Sequence, residues 1–270
     1  MGLTASSSPI NNASVGEMTA REVAEKVDWA LSLDDDLDDG KARWDIVSEL
    51  HSEGGRAAFE AAERLCRAGE AKRRVLGADI LAQVGVTPGS GGASVGPFRD
   101  AAMRVLLDLV ERESEPEILA SICSAFGHLK DPRAVGPLVR LREHPAEKVR
   151  LAVVFGLLAR PERETLDALI ELSADDDADV RDWATFGLAR QSDADYPALR
   201  EALAARIDDP DVETRAEALH GLATRGDRRA LGPLLEWGEK RWEASDPALL
   251  DEALEALGEA GSGGGEQGGA

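Results

Sequence analysis

Aromatic residues are scarce in this chain of 270 residues: five Trp, five Phe and one Tyr, 4% in all. A core built around large rings is excluded, and aromatics that fall at matching places need a reason. Cysteine is limited to Cys66 and Cys123. Two are too few for a disulfide framework, and both lie in apolar helical runs as small buried hydrophobes. Free thiols and the lack of a basic-then-apolar leader predict a reducing, cytoplasmic setting. No apolar run approaches the roughly 18 residues a membrane-spanning helix needs. Alternating β-branched runs are also missing, so essentially no sheet is expected.

Positive charge is the next shortage. Lys and Arg number 31 against 52 Asp and Glu, a formal net charge of −21. Nucleic-acid binding draws its affinity from clustered cations that displace counterions, and an anionic membrane surface makes the same demand. Neither partner is expected.

What the chain does have is internal repetition. "VRLAVVFGLLA" at 149–159 is followed 31 residues later by "VRDWATFGLAR" at 180–190. Aligning each such helix on its late small residue gives His51, Ala82, Gly127, Leu158, Ala189, Ala223 and Gly258, at intervals of 31, 45, 31, 31, 34 and 35. The long interval holds a Gly-rich insertion, "GVTPGSGGASVGPF", expected to be a loop over 86–97. Seven second helices follow, each preceded by a first helix. Thr19 with Glu22 forms a capping box opening an N-terminal helix. Asp131-Pro132, Asp209-Pro210 and Asp246-Pro247 each set an N-cap acceptor before a proline suited to a first helical turn. A single hairpin of this size cannot bury enough apolar area to offset its ordering entropy, whereas stacked hairpins share one core.

The stretch "GHLKDPRAVGPLVRLREHPAEKVRLAVVFGLL" at 127–158 resembles a HEAT repeat of the bacterial, phycobilin-lyase-related type. The likeness is clear over about residues 115–235 and continues by register on either side. It implies an all-α fold, a right-handed α-solenoid of stacked helical hairpins with about seven repeats. The repeat domain is expected over 15–260, between a leader at 1–14 and a Gly-rich tail at 261–270. In such proteins the second helices line a concave face.

On these second helices, counted from Val149 or Val180 as zero at 100° per residue, apolar residues recur at positions zero, four, five, seven and eight. Leu157 and Leu188 at position eight are predicted core. Position six points the opposite way, and its occupants are Ser48, Asp79, Ser124, Phe155, Phe186, His220 and Glu255. Two aromatics break an otherwise polar, solvent-facing series. Phe155 and Phe186, with Leu151, Asp182, Trp183, Arg190 and His220 around them, are the candidate binding patch. The competing reading packs both rings between repeats. Asp182, Glu217, Asp251 and Glu255 form an acidic rim, which predicts a protein partner with a basic-rimmed apolar surface. The chain is expected to be a monomer.

Chemistry finds no residues to carry it. Deoxyhypusine hydroxylases, which the architecture resembles, hold two irons through His-Glu pairs. Here His51, His128, His144 and His220 are not followed by Glu. "DDDLDDG" at 34–40 opens like a calcium loop, but Asp39 stands where glycine is required and Asp45 where glutamate closes the loop. It reads as a solvated acidic linker. "GSGG" lacks the Lys-Ser/Thr of a phosphate loop. No catalytic residue, metal or cofactor is assigned. Arg74, Arg150, Arg181 and Arg215 recur at position one, and Asp131, Asp193 and Asp227 recur in turns. The HEAT resemblance implies that these charges bond between neighbouring repeats. The expected function is a non-enzymatic binding scaffold, with an enzyme or enzyme accessory of the lyase or hydroxylase type as the alternative.

Overall fold

The computed structural model describes residues 17–33, 40–84, 96–238 and 247–262. The expected leader, the acidic stretch 34–39, most of the Gly-rich insertion and the last eight residues lie outside them. Among the described residues there are fourteen α-helices and no strand. The chain divides into two compact units, 1–102 and 103–270.

In the first unit lie α1 (Ala20–Ser32), α2 (Lys41–Glu53), α3 (Gly55–Leu65), α4 (Ala71–Leu81) and the start of α5 (Arg99–Arg112). The capping box opens α1 as expected: Thr19 accepts from the Glu22 amide, and the Glu22 carboxylate accepts from the Thr19 amide. Leu50, Ala58, Leu76 and Ile80 are sealed in the core. Asp79 departs from the prediction. Its position-six place was to face solvent, yet it is only 5% exposed. Arg43 Nη1 donates to its carboxylate at 2.9 Å, and His51 Nε2 donates to its carbonyl at 2.8 Å. A paired arginine makes its burial tolerable.

The second unit holds the rest of α5, then α6 (Pro116–Leu129), α7 (Val135–Leu141), α8 (Glu147–Leu157), α9 (Arg163–Leu172), α10 (Ala178–Arg190), α11 (Pro197–Ala204), α12 (Val212–Thr224), α13 (Leu231–Gly238) and α14 (Pro247–Ser262). Helix α14 continues through Ser262, past the expected start of the tail at 261. Each of the seven even-numbered helices falls on a predicted second helix. Within this unit α6, α8, α10, α12 and α14 pack side by side in chain order. Helices α7, α9 and α11 form the layer behind them. Leu157 and Leu188 are fully buried between the layers, as their phase requires.

Glycine sets how close the row can pack. A Cβ on Gly156 would stand 2.5 Å from Leu138 Cδ2 and 3.0 Å from the Cys123 carbonyl oxygen. Both separations are below van der Waals contact, so α8 lies against α6 and α7 only because that side chain is missing. Cys123, sealed beneath, has its thiol pushed up to about 12 by burial. Cys66 is buried too.

Two of the recurrent arginines, Arg150 and Arg181, bond between repeats, to other carboxylates than those named. Arg150 grips Asp175 through Nε and Nη2 at 2.7 and 2.8 Å, and Arg181 grips Asp209 at 3.0 and 3.2 Å. Each also donates to loop carbonyls five and six residues before it, as Arg74 and Arg215 do. Asp131 instead binds Arg133, while Asp227 binds Arg229 and also reaches Arg200 of the preceding repeat at 3.6 Å. Asp193 is exposed. The proline cap at 209–210 shifts as well: Asp211 caps α12 through the Thr214 amide, while Asp209 serves the Arg181 pair. Burial of Asp209 works against its charge, and the bonds from Arg181 overcome that cost, holding the carboxyl below its ordinary range.

Candidate functional site

The packing of the helix row creates a rule that a single helical wheel does not contain. The residue at position three of one second helix meets the residue at position six of the helix before it. Trp183 of α10 meets Phe155 of α8, with ring centroids 4.9 Å apart and planes at 65°. Glu252 of α14 meets His220 of α12 at 3.8 Å. Phe186 of α10 lies one turn after Trp183, centroids 5.4 Å apart at 74°. Phe155, Trp183 and Phe186 thus form an edge-to-face triad across two helices, the geometry that ring quadrupoles favour.

The two phenylalanines are half-buried, and Trp183 is 38% exposed. Both phenylalanine rings contact Trp183 and keep intermediate exposure. Leu151, one turn before Phe155, is half-buried. Arg190 places its guanidinium 5.7 Å from the Phe186 centroid and reaches Glu217 of α12 at 3.6 Å. The structure therefore brings Phe155, Trp183, Phe186 and Arg190 together, with His220 beyond Glu217 on α12. Of the predicted acidic rim, Asp251 and Glu255 are exposed on α14, and the carboxylate that reaches His220 is that of Glu252.

Electrostatics set this stripe apart from the repeat-to-repeat ion pairs. Asp182 has one carboxylate oxygen sealed from solvent without a hydrogen-bond partner. Burial, then the charges of Asp211, Glu213, Asp179 and Asp209, push its carboxyl up to about 6. Glu217 also has a sealed, unpartnered oxygen. Burial pushes it up to about 7, against the opposing pull of Arg190 and with further repulsion from Asp182. Burial holds the His220 imidazole below its ordinary range, with Arg190 adding to the effect and Glu252 opposing it. Among the described residues no group of three or more His, Cys, Asp or Glu has metal-binding geometry.

Sequence reasoning missed a second arginine series. Arg160 donates to the carbonyls of Gly156, Asp131 and Phe126. Arg225 donates to those of Ala194, Ala189, Gly221, Leu188 and Ser192. Each lies eleven residues after position zero and ties off the end of its own helix together with that of the preceding one. These are carbonyls that a helix C-terminus leaves without intrahelical partners. The shared spacing was the available signal.

Residues 103–189 match the family model for HEAT repeats. The matched segment, about a third of the chain, is similar to HEAT repeats. It includes Phe155, Asp182, Trp183 and Phe186. Protein YibA of Escherichia coli K12 is 28% identical over 218 residues, covering 78% of this chain and 72% of YibA. The crystal structure of YibA has a TM-score of 0.63 at 22% identity, covering 89% of this chain and 98% of that one. The Pds5–Scc1 complex includes a chain with a TM-score of 0.50 at 11% identity, covering 80% of this chain and 39% of that one. These likenesses establish the all-helical repeat fold.

Proposed function

We propose that the chain is a non-enzymatic binding scaffold that holds a partner protein on the stripe of α8, α10 and α12. The observation that carries this reading is the Phe155–Trp183–Phe186 triad, half-exposed in a chain with 4% aromatics. Clustered aromatic surface of this kind marks interaction sites, and aromatics with arginine are the usual anchors of interfaces. The acidic flank of Asp182 and Glu217 fits a partner that is apolar at its centre and basic around it. A chain of this fold in the Pds5–Scc1 complex supports the same reading. The Asp-Pro-Arg-Ala turn at 131–134 supports placing the repeats near the phycobilin-lyase-related branch. The scaffold acts as a cytoplasmic monomer.

The test is comparative. Wild type and the F155S/F186S variant, both verified as folded by circular dichroism, are used to retain proteins from native lysate. A partner retained by wild type and lost with the double variant is the expected result. Identical retained sets would remove the stripe from any binding role.

A further inference from the structure

Of the two carboxylates with a sealed oxygen, Glu217 has Arg190 at 3.6 Å, while Asp182 has no cation among its strongest electrostatic neighbours. The charges that act most strongly on Asp182 are those of other carboxylates, Asp211, Glu213, Asp179 and Asp209. Nearby cations are engaged elsewhere, Arg181 with Asp209 and Arg190 with Glu217. Asp182 is thus a half-buried acid with one oxygen unpartnered, next in sequence to the most exposed ring of the triad. A buried carboxylate without a cation costs free energy, so an isolated fold gains nothing from keeping it.

The chain also shows what this surface accepts. Arg190 lies over the Phe186 ring at 5.7 Å while pointing its guanidinium at Glu217 3.6 Å away. An aromatic face paired with a carboxylate is a seat for a cation. Asp182 directly precedes Trp183 on α10, and among the described residues no arginine or lysine lies over the Trp183 ring.

We infer that the partner inserts a lysine or arginine side chain beside Trp183 to pair with Asp182, within an otherwise apolar segment lying along Phe155 and Phe186. The net charge of −21 draws such a basic segment towards the protein. Trp183 contributes its face, Asp182 the counter-charge, and the phenylalanines the apolar contact. This rests on the scaffold reading above and narrows it to one partner chemistry, a basic and apolar peptide segment.

The test uses a displayed library of random dodecapeptides, selected on the full-length protein after depletion on F155S/F186S. The expected enrichment is Lys or Arg next to aliphatic or aromatic residues. A synthetic peptide carrying the enriched sequence should bind D182N about tenfold or more weakly than wild type. The same peptide with its basic residues replaced by Gln should bind wild type and D182N alike. D182N removes a costly charge without removing volume, so a loss of affinity cannot be ascribed to unfolding. Enrichment of apolar peptides without basic residues would overturn this inference and leave the scaffold reading intact. Unaltered affinity of the basic peptide for D182N would do the same. Absence of any enrichment that depends on the phenylalanines would overturn both.

Discussion

Asp182 and Glu217 make the stripe sensitive to pH in a direction opposite to most surface acids. In an unfolded chain these carboxyls titrate at about 3.9 and 4.3. In the fold they rise to about 6 and about 7. The folded state therefore holds protons more tightly than the unfolded state, and both groups destabilise the protein once ionised. That penalty is fully present above about pH 7. It is relieved as pH falls through the two raised values, and it is gone below about pH 4. Discounted for partial solvent exposure, D182N should stabilise the fold by about 1 kcal/mol at pH 8. The gain should vanish near pH 4, and urea unfolding at the two pH values checks it. A gain equal at both would show that charge burial is not its cause. The rings tell a related story. Their place opposite the apolar arc was legible from Val149 and Val180, but not how far they would be exposed, since both are half-buried and Asp79 at the same position is buried. Their contact with Trp183 was not, because it depends on how far each helix slides past its neighbour.

Helix placement was the most legible level, since the 31-residue register carries over directly into α8 and α10. Cap identity was less so. Asp209 and Asp211 sit two residues apart, and only the position of Arg181 decides which becomes the cap and which the ion-pair partner. The arginines after helix ends were hidden because their targets are carbonyls, which leave no pattern in side-chain identity. Replacing Arg225 with Met leaves those carbonyls without their donor, and should cost about 3 kcal/mol by denaturant unfolding. A cost near zero would show that water serves them equally well. Leu188→Ala should cost about 2–5 kcal/mol through lost transfer energy and the cavity left behind. Gly156→Ala should cost about 1–3 kcal/mol by forcing α8 away from Leu138 and Cys123. Tolerance of that alanine would require the helix row to shift freely, against its packed geometry.

At the scale of the whole molecule, charge and repetition act together. The formal net charge of −21 leaves many more carboxylates than cations, and two of the arginines, Arg150 and Arg181, tie repeat to repeat. Two carboxylates with a sealed, unpartnered oxygen, Asp182 and Glu217, lie on α10 and α12 beside the ring triad. Composition indicated the surplus of acid, whereas the burial of these two depends on how α10 and α12 pack. The most direct test joins stability and binding in the same molecules. F155S, F186S and their double variant are measured for urea midpoint and for affinity towards the library-selected basic peptide. Stability should fall by about 1 kcal/mol or less for each ring, the worth of an edge-to-face contact. Affinity should fall by about thirtyfold for each, with the two losses coupled in the double variant. A loss of several kcal/mol in stability, with unchanged affinity per folded molecule, would make both rings ordinary packing and contradict a binding role for the stripe.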